Sequence, residues 1–358
     1  MKRIAIIALA LTSAIVAAAQ TTRQFTASRA NEYALVYSLP LTAVDITIET
    51  EHCHRVPGEF HNYARRHLAI NNAITEEATS VNVRSITIAT RGIANTSNQW
   101  QVQFKSGAAV TMLLTADGRP LTINTDQPAI AATPLLPSAQ EAAPTPLQTD
   151  AARQAMTQDM VRSSSVSKRA ELAAQRIFEL RDMRSDLLSG QSDNPPADGQ
   201  AMQLVLDNLA QQEAALTAMF AGTEQRYTNV RTITFTPDSD EIDHQVIARI
   251  SPFDGILDAD NLAGAPLTLS LEILETGTLP VNEKGEVKRF PNNGVAYVIP
   301  GTARISVKYE GRTIAQADVT LAQLGCVFGI DPALFTDKKA PATLQFDPTT
   351  GAIVQLAQ

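Results

Sequence analysis

The chain has few of the residues that stacking platforms and thiol chemistry require. Its 358 residues include one tryptophan and two cysteines, and aromatic residues make up 5%. With Trp100 alone, a sugar-stacking surface would depend on Tyr33, Tyr37 and Tyr63, and tyrosines at such positions are more often core residues. Cys53 and Cys326 can form one bridge in an oxidising compartment. Two free thiols are the alternative, because a bridge requires their Cα atoms to approach closely.

The usual signatures of catalysis and of nucleic-acid binding are also missing. There is no G-x-S-x-G, no P-loop and no G-x-G-x-x-G, and His244 is the one histidine outside residues 51–70. This excludes the motif-defined serine hydrolases and nucleotide-binding folds. No basic tract is longer than the two arginines at 65–66, and the formal net charge is −8. A nucleic-acid partner requires a clustered positive surface, so we expect none.

Long apolar runs are absent except at the start of the chain. Lys2 and Arg3 precede an apolar run over residues 4–16, and three small alanines end at Ala19. This order predicts a secretory signal cleaved after Ala19, with an uncleaved anchor as the alternative. No later segment approaches the roughly 20 apolar residues of a spanning helix. We therefore expect an exported protein, in the periplasm or at the cell surface, that does not span the membrane after signal removal.

Composition and periodicity divide the chain into five segments. Residues 128–150 hold five prolines among alanines and threonines, which is typical of an extended linker. The predicted fold is mainly β with an inserted α-helical hairpin: two antiparallel, sandwich-like β-domains joined by the proline-rich linker and the helix pair. The predicted segments are a signal peptide (1–19), an N-terminal β-domain with a short helix near 59–69 (20–127), the linker (128–150), the helical hairpin (151–222) and a C-terminal β-domain (223–358).

Strands are predicted from side-chain alternation. "TAVDITIET" places Val44, Ile46 and Ile48 on one face, the pattern of a half-buried strand. "VNVRSITIA" begins this alternation with valines and resumes it out of phase with isoleucines, which suggests a β-bulge or burial on both faces. Hairpin turns are predicted at residues 310–311 and at residues 347–351.

Two helices follow the linker. Apolar residues recur every three to four positions in "KRAELAAQRIFELRDMRSDLL" and again in "QAMQLVLDNLAQQEAALTAMFAG". Ser167 is the predicted N-cap of the first helix, and Gly190 is its predicted left-handed C-terminus. Single apolar stripes and a short connection favour an antiparallel hairpin.

The stretch "EHCHRVPGEFHNYARRHLAI" is the main candidate for a metal site. His52 and His54 share a strand face, and His61 lies on the short helix that follows Pro57-Gly58. These three histidines are weak candidate ligands, because the one-turn spacing of paired helical ligands is absent. A strand leading into a helix explains more of the residues. We predict no cofactor and no catalytic residue.

Two polar loops are further candidates. Asp254, Asp258 and Asp260 lie within seven residues, but they lack the EF-hand spacing and its terminal glutamate, so solvated turn carboxylates are expected. The turn between the two helices is exposed and rich in turn formers. It is the candidate partner surface, formed by Asp193, Asn194, Pro195, Pro196 and Asp198.

Several phrases, in order along the mature chain, resemble a family of uncharacterised secreted proteins of about 350 residues from Bacteroides and related Bacteroidales. They are "VYSLPLT", "VPGEFHNYARRHLAI", "RIFELRDMRSDLLSGQSDNPPADGQAM", "LTAMFAGT", "SPFDGILDADNLAGAPL", "YVIPG", "AQLGCVFGIDPALF" and "FDPTTGAI". The family is a domain of unknown function, so the resemblance implies a compartment and a lineage but no activity. Its pattern usually has other residues at His61 and His67, which further weakens a metal site there.

The expected function is non-enzymatic binding or scaffolding in the cell envelope, with an unknown envelope protein or glycan as partner. One alternative is a metal-dependent hydrolase acting on envelope glycan or peptide, built on the histidine cluster. The other is a small-ligand carrier that binds between the two β-domains.

Overall fold

A computed structural model describes residues 23–24, 34–104, 110–125, 150–192, 196, 199–238, 240–337 and 339–358. Its strands are β1 (Arg23–Gln24), β2 (Leu35–Val56), β3 (Ala78–Val102), β4 (Met112–Leu114), β5 (Pro120–Ile123), β6 (Thr223–Phe235), β7 (Ile242–Ser251), β8 (Gly255–Leu257), β9 (Ala265–Glu275), β10 (Val295–Tyr309), β11 (Arg312–Ile330), β12 (Thr343–Phe346) and β13 (Ile353–Ala357). Its helices are α1 (Ala64–Leu68), α2 (Asp150–Ala155), α3 (Gln158–Arg162), α4 (Val166–Ser189) and α5 (Gly199–Ala221). The predicted signal and nearly all of the predicted linker lie outside the described residues.

The strands form three sheets, and every strand pair is antiparallel. The first sheet has the order β1-β3-β2-β6, the second β11-β10-β9-β7-β8 and the third β13-β12-β5-β4. The prediction of a mainly β fold with few helices is therefore confirmed.

The first and third sheets combine strands from both sides of the predicted linker. β6 pairs with β2 from Thr223 opposite Val56 to Phe235 opposite Val44, and β12 pairs with β5. The long strand β2 has unpaired backbone groups along both of its edges, and β3 and β6 pair with them. The β segments on the two sides thus share sheets, while the division into domains at 20–127 and 223–358 stays a prediction.

The main core lies between the first and second sheets. Val44, Ile46 and Ile48 of β2 are fully buried, as their alternation predicted. They pack against the buried row Leu267, Leu269, Leu271, Ala303, Ile305 and Val307 of β9 and β10. Since each fully buried aliphatic side chain contributes about 1.5–3 kcal/mol, this contact is a major source of stability.

The predicted phase change in β3 is a β-bulge at Arg84. Glu49 pairs with Ser85 whereas the next residue of β2, Thr50, pairs with Val83, so Arg84 has no partner of its own. Arg84 and Ser85 are both exposed as a result. The extra residue keeps Val83 and Ile86 on the side of the core, where both pack against it. The bulge therefore preserves the inward orientation on both of its sides.

A second core joins the third sheet to the start of β2 and to β10. Tyr37, Phe335, Leu344 and Phe346 are fully buried there. The Tyr37 hydroxyl accepts a hydrogen bond from the Ala296 N–H at 2.7 Å and donates one to the Ala296 carbonyl at 3.1 Å. Burial raises the pKa of the Tyr37 phenol far above its usual value. Tyr37 is thus a core residue rather than part of a stacking surface.

The helices have a core of their own. Ile177, Leu180, Leu216 and Phe220 pack with Phe60 and the short helical segment after β2, which consists of a 3₁₀ turn at His61–Tyr63 followed by α1. The residues of this core belong to the helices and to this segment rather than to a sheet. Gly58 permits the close approach, since a Cβ there would lie 2.3 Å from the Met219 carbonyl oxygen.

The ends of the first long helix differ slightly from the prediction. Its N-cap is Ser165 rather than Ser167, and the Ser165 hydroxyl accepts a hydrogen bond from the Lys168 N–H at 3.4 Å. Gly190 ends the helix with a left-handed φ of 73°, as predicted. The serine two residues earlier in the chain supplies the cap because its backbone is extended there, as an N-cap requires.

Candidate functional site

His52 is a buried member of the core side of the first sheet. Its ring is 5% exposed and stacks on Tyr227 with the ring centroids 4.8 Å apart. Its Nε2 lies 3.2 Å from the Thr50 hydroxyl. Gly255 presses against the ring, since a Cβ there would lie 2.6 Å from Cε1. Burial lowers the pKa of His52, so the neutral imidazole is favoured.

The other two candidate ligands have different partners. His54 Nε2 lies 3.1 Å from Glu77 Oε1 at the surface. His61 Nδ1 donates to the Gly58 carbonyl at 2.8 Å, which closes the turn before α1. Among the described residues, no group of three or more histidine, cysteine, aspartate or glutamate side chains is placed to hold a metal ion. The structure thus gives His52, His54 and His61 three separate environments.

The contacts of the acidic loop after β7 support the expectation that its carboxylates belong to a turn. The Ser251 hydroxyl donates to Asp254 at 3.1 Å, and Arg231 forms an ion pair with Asp258. Asp254 and Asp258 therefore stabilise the turn and its contact with β6.

The two cysteines do not pair. Cys53 is a buried free thiol on β2, and Cys326 is a half-buried free thiol on β11. Burial raises the pKa of the Cys326 thiol, which disfavours the reactive thiolate. Of the two alternatives that the sequence left open, the structure contains the free thiols.

The predicted partner surface is described only at Pro196; Asp193, Asn194, Pro195 and Asp198 lie outside the described residues. Beside it, two apolar side chains at the neighbouring helix ends are largely exposed, Leu188 at 70% and Leu204 at 72%. The part of the chain that the structure describes contains no helix long and apolar enough to cross a membrane.

A further open feature is a seam between two sheet edges. β3 is next to the outer edge of the first sheet, where the described residues of β1 pair with Trp100 and Gln101. β11 is the edge of the second sheet. Two clefts lie between these strands, with volumes of about 390 and 350 Å³. We call β3, β11 and the clefts between them the seam.

The two clefts differ in chemistry. The larger is lined by Thr90, Thr320, Thr349 and Thr350, with Asp318 beside them, so it is rich in hydroxyls. The smaller lies beside the bulge, and its lining includes Val83, Ile86, Tyr309, Ile314 and Arg312. One end of the seam therefore presents mainly hydroxyl groups, and the other presents apolar side chains together with Arg84, Arg312 and Glu310.

Three arginines along the seam are held in ion pairs. Arg91 Nε lies 2.8 Å from Asp45, and Arg84 Nη1 lies 3.5 Å from Glu49. Arg304 donates two hydrogen bonds to Asp318, at 2.7 and 3.0 Å, and they lower the pKa of that carboxyl. These side chains are structural partners, and none of these contacts is a proton-transfer arrangement.

The sequence did not indicate the seam. The one signal that bears on it is the phase change at the bulge, because a bulge frequently marks a sheet edge. The sequence could not predict that β11 would lie next to β3, since the two strands are more than 200 residues apart in the chain.

The chain belongs to the family described as "Domain of unknown function (DUF4831)", whose model matches residues 33–354. This confirms the resemblance to an uncharacterised family of about this length. No curated protein matches the chain, and no solved structure matches it.

Proposed function

We propose that this member of the DUF4831 family is an exported protein of the cell envelope that binds a partner without transforming it. The observation that carries the proposal is the seam, where two sheet edges and two clefts of different chemistry face solvent together. A binding surface of this kind is concave, largely pre-formed and supported by rigid strands.

The contacts of the titratable groups support binding rather than catalysis. Arg84, Arg91 and Arg304 each pair with an acid, and the ring of His52 is enclosed by Tyr227 and Gly255. A general base requires an imidazole or carboxylate within reach of a substrate. Here these groups have internal partners, which suits a surface that recognises shape and backbone.

Export is supported by the order of residues at the start of the chain, a basic pair, an apolar run and small residues up to Ala19. Fractionation of the cells that make the protein, with sequencing of its N-terminus, tests this part. We expect an envelope-associated chain that begins at Gln20. A cytosolic chain that still begins at Met1 would contradict it.

Site-specific photo-crosslinking tests the binding surface. A photoreactive residue at Thr320, which lines the larger cleft, is compared with one at Leu262, which is 82% exposed. Leu262 lies in the loop after β8, the edge strand of the second sheet opposite β11. We expect a discrete adduct in the native envelope from Thr320 and none from Leu262. Equal labelling from both positions, no adduct, or turnover of an envelope polymer by the purified protein would contradict the proposed function.

A further inference from the structure

We propose that residues 78–91 of β3 bind an extended polypeptide segment of a partner protein, which adds to the first sheet as a further strand. The inference rests on the proposed function, because it assumes that the seam is a binding surface, and it names the class of partner. Its ligand is a linear peptide rather than a folded surface or a glycan.

The backbone of β3 supplies the recognition groups. Residues 78–91 pair with β2, and the described residues place no second strand along this stretch. Successive residues of a strand direct their N–H and C=O groups to opposite sides. On each side of the bulge at Arg84, every second residue therefore presents a donor and an acceptor away from β2. An extended peptide has the matching spacing of groups, and addition of such a peptide to a sheet edge is a recurrent recognition mode.

The side chains along this edge do not block an incoming strand. The outward residues are mostly small, among them Ser80, Asn82, Thr87 and Ala89, and all four are exposed. Proteins commonly protect a free edge with charges or proline. Here the only charged residues of the stretch are Arg84 and Arg91, and both turn towards acids on β2.

β3 already accepts an added strand at its other end. Arg23 and Gln24 of β1 pair with Gln101 and Trp100 on the side of β3 away from β2. The same strand therefore forms an antiparallel ladder with a segment distant in sequence. Residues 78–91 offer a longer stretch of the same edge.

The clefts define which peptide fits. Their β3 residues centre on positions 84 and 89, roughly 16 Å apart at about 3.3 Å per residue. Peptide side chains that point to the seam alternate with those that point away. We therefore expect an apolar side chain at the smaller cleft and a small polar one at the hydroxyl-rich cleft, about four or six residues apart.

Two neighbouring proline variants make the edge testable. Of Ala89 and Thr90, one directs its N–H to β2 and the other directs it to solvent. Proline at the residue whose N–H points to β2 removes a ladder hydrogen bond and lowers the melting temperature. Proline at the residue whose N–H points to solvent leaves the sheet paired but interrupts the free edge, and we call this substitution the edge variant. Thermal unfolding of Ala89→Pro and Thr90→Pro identifies the edge variant as the one with the higher melting temperature. Only that variant is used in the binding measurements.

The probe is a phage-displayed library of random linear twelve-residue peptides, selected on the mature chain. We expect alternating apolar and polar sequences that slow amide exchange in residues 78–91 and lose at least 10-fold in affinity for the edge variant. Selected peptides that bind both proteins equally would overturn strand addition. Failure to select any peptide would also overturn it.

Two controls separate this inference from the proposed function. If the Thr320 adduct in the native envelope persists in the edge variant, the seam binds a partner in another way, so strand addition is wrong and the proposed function stands. If no adduct forms at all, both fail. The protein could also elute as a dimer whose residues 78–91 are protected from amide exchange without any peptide. If the edge variant loses both properties, the occupant of the edge is a second copy of the chain, and the inference of a partner protein's segment is wrong.

Discussion

Deletion of Arg84 is the sharpest test of how β3 is built. Without the bulged residue, Val83 directly precedes Ser85, and both keep their partners Thr50 and Glu49 on β2. Val81, which is 7% exposed, and half-buried Val83 then follow one unbroken alternation with Ile86 and stay on the core side. Because full burial of a valine contributes about 1.5–3 kcal/mol, turning both valines outwards would cost about 2–4.5 kcal/mol, and we expect no such loss from the deletion.

The matched control is Arg84→Ala, which keeps the extra residue and removes only the ion pair with Glu49. That pair spans 3.5 Å between partly exposed side chains, and such pairs contribute at most about 1 kcal/mol. The free energy of unfolding is measured by urea denaturation of both variants and the wild type. We expect the deletion variant to lie within about 1 kcal/mol of Arg84→Ala, and a further loss of about 2–4.5 kcal/mol would refute the argument that Arg84 is the one extra residue between two inward-facing stretches of β3.

Two further outcomes test the buried histidine and the helical core. The folded-state pKa of His52 is lowered, so its contribution to stability is present above the unfolded pKa of about 6.5 and is lost as pH falls below it. The free energy of unfolding of His52→Gln, measured against pH, should therefore fall less steeply below pH ~6.5 than that of the wild type. Identical slopes for the two proteins would contradict this. Ile177→Ala, at a fully buried position, should lower the free energy of unfolding by about 2–5 kcal/mol. Leu188→Ala, at an exposed one, should change it by about 0.5 kcal/mol or less, and equal effects would refute the helical packing.

Local features of the fold could be predicted from the sequence because each depends on residues that are close together in the chain. Alternation over a few residues placed Val44, Ile46 and Ile48 on one buried face. The turn at Glu310 and Gly311 was predicted from its residues, and both have positive φ, 48° and 77°. Backbone conformations of this kind are decided by side chains within the turn itself.

The candidate site was only partly readable. The three histidines were noticed because they are close in the chain, yet a strand and a helical turn give them separate partners. Their contacts with Tyr227, Gly255 and Glu77 are set by how distant segments meet. Proximity in sequence therefore indicated candidate ligands, while the geometry that a metal requires depends on tertiary packing.

By itself, the sequence determined the longer strands, the two long helices and several turns, and the phase change in β3 offered a bulge as one of two explanations, since these features follow from spacings of two to four residues. Only the tertiary structure decided that β6 pairs with β2, that β12 pairs with β5 and that β3 and β11 border one seam. The physical reason is that closing a long loop costs only slightly more than closing a short one. Distance along the chain therefore selects no partner for a strand, and the choice is made by which arrangement buries all the apolar faces together.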